Sequence, residues 1–204
     1  MTMKSKEKLR ISDFKPIAVL ALITAVTTIL LVVMERSIQA DETELSGSLK
    51  EMCIEMMGEG EFIVITDWDM LSRVTPEIPR EINRTIIHEE SGTVAFQIIV
   101  NGYNRNGLNL LIVMNGDGSV KDLAVYINTE TPSIGTKVNE RSFLDNFIGR
   151  SEDVRVVRGT SRSENEIAAI TGATVSSRAV ADAVNIAVYA YDLIYPGGWH
   201  EQES

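Results

Sequence analysis

The longest unbroken apolar stretch lies at residues 17–34, IAVLALITAVTTILLVVM, eighteen positions without a charge. As a helix rising about 1.5 Å per residue it is roughly 27 Å long, enough to cross a hydrocarbon core. Thr24, Thr27 and Thr28 can return their hydroxyls to carbonyls one turn back. The pattern predicts a transmembrane helix; a core helix without a polar face is the alternative. Helical spacing follows in Leu45, Leu49, Met52, Cys53, Met56 and Met57, predicting an amphipathic helix over 41–57 that Gly58-Glu59-Gly60 stops. The Met cluster reads as a soft core face and Cys53 as a small buried hydrophobe.

Strand-like patterns come next. Residues 62–66 form one, Pro76 and Pro79 break the following stretch, and 84–88 reads as a strand or a turn. Three better runs, 94–100, 108–114 and 120–128, are joined by NGYNRNG and NGDG, whose Asn-Gly and Asp-Gly steps suit tight turns. They predict an antiparallel meander. A polar segment at 129–137 leads to a helix over 139–148 with Phe143, Leu144, Phe147 and Ile148 inward. A short strand at 154–157 and a polar loop at 161–166 precede a closing helix at 176–194. Val180, Val184, Ala187, Val188, Tyr191 and Ile194 share one face of it, and Pro196-Gly197-Gly198 ends it. The class is α+β: a transmembrane helix followed by a domain with an antiparallel sheet and packed helices. The divisions are a tail at 1–16, the span at 17–34, a linker with the amphipathic helix at 35–60, and the main domain at 61–204.

Charge orients this plan. Lys4, Lys6, Lys8, Arg10 and Lys15 precede the apolar run, and Asp41, Glu42 and Glu44 follow it. The excess of positive charge places the N-terminus in the cytoplasm and the main domain outside. A cleaved signal peptide competes with a retained anchor; the run is longer than a usual signal core, and Ile38-Gln39-Ala40 is a mediocre cleavage site. Residues 1–40 carry 6 basic and 3 acidic side chains, leaving 13 of the chain's 19 basic and 26 of its 29 acidic residues beyond, a balance of −13. Such a domain repels nucleic acid. One cysteine and two distant histidines exclude a disulfide framework, a haem motif and zinc spacing. Redox chemistry here would need a bound cofactor.

The candidate chemistry lies in Thr171-Gly172-Ala173-Thr174, followed by Val175-Ser176-Ser177. Gly172 permits a sharp turn, Ala173 admits a bulky group, and Thr174 stands at the mouth of the closing helix. The N–H groups of Val175, Ser176 and Ser177 are expected to lack intrahelical acceptors and, with Arg178, to offer an anion seat. The plainer reading is a Thr capping a helix with no ligand.

A second stretch, ETPSIG at 130–135, changes the balance. With the anchor at 17–34, NGYNRNG at 101–107 and TGATVSS at 171–177, the order of motifs resembles the FMN-binding domain family. This family includes the G subunit of the Rnf ion-translocating electron-transport complex and the related C subunit of the Na⁺-translocating NADH:quinone reductase. The resemblance implies FMN esterified through its phosphate to Thr174 by a flavin transferase. It also implies close-approach roles for Gly172 and Ala173, a cofactor-binding place for Thr171 beside them, and a ring-side loop comprising Glu130, Thr131, Ile134, Gly135 and Lys137. Glu130 reads equally as an acceptor for loop N–H groups. The implied function is an electron-carrying subunit among other membrane subunits of an Rnf-like complex, with no catalytic dyad of its own. The alternatives are a quinone-reductase C subunit, another tethered flavoprotein, and a non-redox tethered binding module. Two positions depart from the family pattern. Ala168 stands where an acid that the transferase reads is usual. Ser133 stands where Gly is usual, which predicts a more ordinary φ and a shifted loop tip.

Overall fold

The computed structural model describes Leu45 and residues 47–66, 75, 77–105 and 107–196. The expected transmembrane span lies outside them. Among the described residues, no helix is long and apolar enough to cross a membrane.

Helix α1, Gly47–Met57, comes first, followed by β1 (Phe62–Ile65), β2 (Ile82–His88), β3 (Val94–Val100), β4 (Leu108–Met114) and β5 (Val120–Asn128). These five strands form one antiparallel sheet in chain order. The meander therefore extends two strands beyond the three best sequence runs, and 84–88 belongs to a strand that begins at Ile82.

The sheet is covered on both faces, which explains why β3 and β4 read as nearly continuous apolar runs rather than alternating ones. In β4, Leu108, Leu110, Ile112 and Met114 join the larger core, while Leu111 and Val113 join a smaller one with Leu49, Cys53 and Met57 of α1. The period of two sends alternate residues to opposite helices. Cys53 is fully buried, and burial pushes its thiol up to about 11, as suits a small hydrophobe.

The larger core is closed by α3, Thr174–Ile194, whose buried side includes Ala179, Ala181, Ala183, Ala187 and Ala190 beside Val180, Val184, Val188 and Tyr191. The alanines widen the inward face beyond the stripe read from the larger side chains and let the helix lie close to the sheet. The helix begins two residues earlier than expected.

The predicted helix at 139–148 is instead three short pieces: a 3-10 turn at Gly135–Asn139, α2 at Arg141–Leu144, and a 3-10 turn at Asp145–Phe147. Phe143, Leu144 and Phe147 are buried as expected, but Ile148 is 40% exposed. Its backbone has already turned extended (φ −63, ψ 135), and Gly149, at φ +77, swings the chain away. Beyond it, β6 (Arg155–Val157) pairs in parallel with β7 (Glu166–Ala168). A three-residue strand carries too little periodicity to be read from sequence, and β7 was not expected.

Candidate functional site

The site is built where α3 begins. β7 ends at Ala168, whose neighbour Ala169 donates its N–H to the Val157 carbonyl (2.8 Å), carrying the pairing one step further. The chain then turns: Ala173 N–H donates to the Ile170 carbonyl (2.9 Å), with Gly172 at φ +85. A Cβ on Gly172 would meet only Ile134, at 3.8 Å, so the positive φ rather than crowding calls for glycine.

Ser177 locks this turn from inside the helix. Its hydroxyl donates to the Ala173 carbonyl (2.9 Å) and accepts from Ile170 N–H (3.1 Å), and its own N–H donates to the Ala173 carbonyl (2.9 Å). The expectation that Ser177 N–H is free is therefore corrected. Because α3 starts at Thr174, the first intrahelical bond already uses Ser177. The N–H groups left without a backbone acceptor are those of Thr174, Val175 and Ser176. The capping reading is corrected too. Ala173 occupies the N-cap, and no side chain caps the helix. The Thr174 hydroxyl is not spent on capping, and the residue is half-buried at the surface of a cleft.

Glu130 binds three motifs into one structure. Its carboxylate accepts from the N–H groups of Tyr103 and Asn104 (both 2.9 Å) and from the Ser176 hydroxyl (2.5 Å). Asn104 also donates its side-chain amide to the Thr129 carbonyl. Of the two readings for Glu130, the structure realises the acceptor for loop N–H groups. The side chain is 3% exposed, enclosed by three glycines. A Cβ on Gly102 would come within 2.5 Å of Glu130 Oε1, one on Gly107 would come closer still, and one on Gly135 would lie 2.6 Å from Glu130 Cβ. Burial works to raise the carboxyl's pKa, but the Ser176 hydroxyl and the Asn104 and Tyr103 N–H groups outweigh it and hold it below its ordinary value.

The loop after Glu130 folds around the Thr131 carbonyl, which accepts from Ile134, Gly135 and Thr136 (3.2, 2.9 and 3.3 Å). Ser133 takes φ +63, the left-handed conformation in which glycine is at ease. The expectation of an ordinary φ is thus corrected: the tip keeps the glycine-like conformation, helped by Ser133 N–H donating to the Thr136 hydroxyl (3.0 Å).

Between these parts lies a cleft of about 480 Å³. The helix start contributes Gly172 through Ser176, and the loop contributes Glu130, Thr131, Ile134 and Gly135. Tyr103 comes from the β3–β4 turn and Arg158 from the end of β6. Tyr103, Ile134 and Val175 are 73%, 48% and 50% exposed, so an apolar surface is left open beside Thr174. Thr171, Lys137 and Arg178 are exposed nearby and do not line the cleft. Sequence reasoning missed Arg158, because only the unexpected β6–β7 pairing brings it here. A larger cleft of about 630 Å³, lined by Arg80, Glu81 and Asp182 among others, gathers none of the expected site residues. Among the described residues no acidic, His or Cys cluster could hold a metal.

Residues 102–189 match the FMN-binding domain family. The chain is 32% identical over 126 residues to the G subunit of the Na(+)-translocating ferredoxin:NAD(+) oxidoreductase complex of Acetobacterium woodii, covering 59% of this chain and 60% of that protein. It is 34% identical over 98 residues to the G subunit of the proton-translocating ferredoxin:NAD(+) oxidoreductase complex of Clostridium ljungdahlii, covering 47% and 52%. The chain thus spans between half and three fifths of the length of these relatives. Among solved structures, NqrC of Shewanella oneidensis is 18% identical with a TM-score of 0.47, covering 74% of this chain and 87% of that one. The match over 102–189 encloses every residue of the cleft, from Tyr103 to Ser176, and the chain resembles the G subunits of ion-translocating oxidoreductase complexes.

Proposed function

We propose that this chain is the flavin-carrying G subunit of an Rnf-type ion-translocating complex, relaying electrons through FMN joined to Thr174 by a phosphoester. The observation that carries the reading is the start of α3. A threonine hydroxyl free of any capping bond stands beside three N–H groups without backbone acceptors, at the mouth of a cleft. Those N–H groups and the helix dipole favour a negatively charged phosphate. The cleft volume lies within the range of cofactor sites, and Tyr103, Ile134 and Val175 offer apolar surface to a flat ring system. The residues present therefore fit FMN.

FMN supplies the redox chemistry that the side chains lack. The protein's part is to hold and place it. Thr174 provides the covalent tether, Gly172 and Ala173 leave room for close approach, and Ser177 keeps the turn in shape. Glu130, fully engaged by Tyr103, Asn104 and Ser176, fixes the loop of Thr131, Ile134 and Gly135 against the helix start. Residues 17–34 anchor the chain in the cell membrane as a single span, with a cytoplasmic N-terminus and an extracytoplasmic domain. The partners are the other membrane subunits of the complex and, during maturation, a flavin transferase. The strongly acidic domain gives no footing to nucleic acid.

The test is the intact mass of the protein co-produced with a flavin transferase, beside Thr174→Val. An added esterified FMN on the wild type and none on the variant is expected. No addition to either, with the transferase active on another substrate, rejects the covalent reading. An addition that survives in the variant moves the ester away from Thr174.

A further inference from the structure

We infer that Arg158 pairs with the phosphoryl group of the flavin in this cleft, a role that rests on the FMN reading above. Its placement follows from topology. β6 and β7 run parallel, with Val157 opposite Ala168, so both leave the pair at the same end. β7 continues from that end into the Ile170–Ala173 turn and Thr174. β6 continues into Arg158, which lines the cleft. Two short strands therefore deliver a guanidinium and the helix start to one place.

The charges around the cleft favour a cation there. Glu130 is held in its ionised form at the wall of the cleft. A phosphoryl group brings further negative charge. The helix start offers only about half a positive charge, shared among its N–H groups. Arg158 is the only cationic side chain lining the cleft among the described residues. It makes no salt bridge with another described residue. The Glu130 oxygens are occupied by Tyr103, Asn104 and Ser176, which leaves the guanidinium available to an incoming anion. A planar guanidinium matches phosphoryl oxygens better than an ammonium does. In a domain of balance −13, a local cation also determines where an anion can enter.

The test compares FMN with riboflavin, which lacks the phosphate. Full-length protein made without transferase is titrated with each flavin by fluorescence quenching, as wild type, Arg158→Gln and Arg158→Lys. Arg158→Gln is expected to weaken FMN about tenfold, the worth of one exposed charge-assisted hydrogen bond, and riboflavin less than about twofold. Arg158→Lys recovers part of the loss, and added salt narrows the gap between the flavins. Equal weakening of both flavins overturns the inference in favour of a ring contact. No weakening of either overturns it outright. A wild type that binds neither flavin yet gains the FMN mass at Thr174 overturns the inference and leaves the attachment standing. One that does neither removes both.

Discussion

Phe96 in the sheet and Glu130 in the loop cluster are both almost inaccessible to solvent, yet they are buried for opposite reasons. Phe96 lies among apolar neighbours contributed by several strands and α3. Each fully buried large side chain there is worth about 1.5–3 kcal/mol, and the gain is spread over many residues. Glu130 is a charge, costly to bury alone, and it stays because three donors converge on it and three glycines leave it room. The sheet is thus redundant, whereas the site depends on one carboxylate.

The largest change expected is in the sheet. Phe96→Ala should cost about 3–5 kcal/mol in urea unfolding, with the cleft lost only as the whole domain unfolds. Glu130→Gln should cost less, about 2 kcal/mol at neutral pH, because it weakens charge-assisted bonds without removing the side chain. It should also change the acid limb. The folded carboxyl holds its proton less tightly than the ordinary 4.5. Its contribution is therefore complete above the unfolded value and is lost as pH falls through the folded one. Wild-type stability should fall faster with acid than that of Glu130→Gln, so the two curves converge as pH falls below the ordinary carboxylate range. Parallel curves would show that the carboxylate is not the acid-sensitive link.

Gly135→Ala sharpens the same contrast. Its Cβ would lie 2.6 Å from Glu130 Cβ, so the loop must shift, at a cost of about 1–2 kcal/mol. Flavin loading, read by intact mass, should drop further than that modest destabilisation explains. The smallest effect is a gain. Ser133→Gly relieves a left-handed serine and should stabilise the domain by about 0.5–1 kcal/mol in thermal unfolding. An unchanged or lower midpoint would show that the Ser133 side chain compensates for the backbone.

How far each region could be read from sequence follows the same division. The strands of the meander and the amphipathic α1 announce themselves through local periodicity, and both faces of β3 and β4 agree with their apolar runs. TGAT and ETPSIG were visible as motifs. Their connection was not, because it runs through a hydrogen bond between Glu130 and Ser176, 46 residues apart. β7 is three residues long, and its parallel partner gives no turn signal, so Arg158 carried no mark of its position. Ile148 misleads because its side chain fits the helical spacing while its backbone has already left the helix, one residue before the turn at Gly149.

The alanines of α3 have a mechanical consequence. The helix has 21 residues, so it is a rod roughly 31 Å long with Thr174 at one tip. Tilting such a rod by about 5° about its far end would move that tip by nearly 3 Å, comparable to the length of a hydrogen bond. Ala190, fully buried near the opposite tip, is one of the shims that keep the lever flat against the sheet. A bulkier residue there would misalign Thr174 from the far end of the helix without touching the cleft.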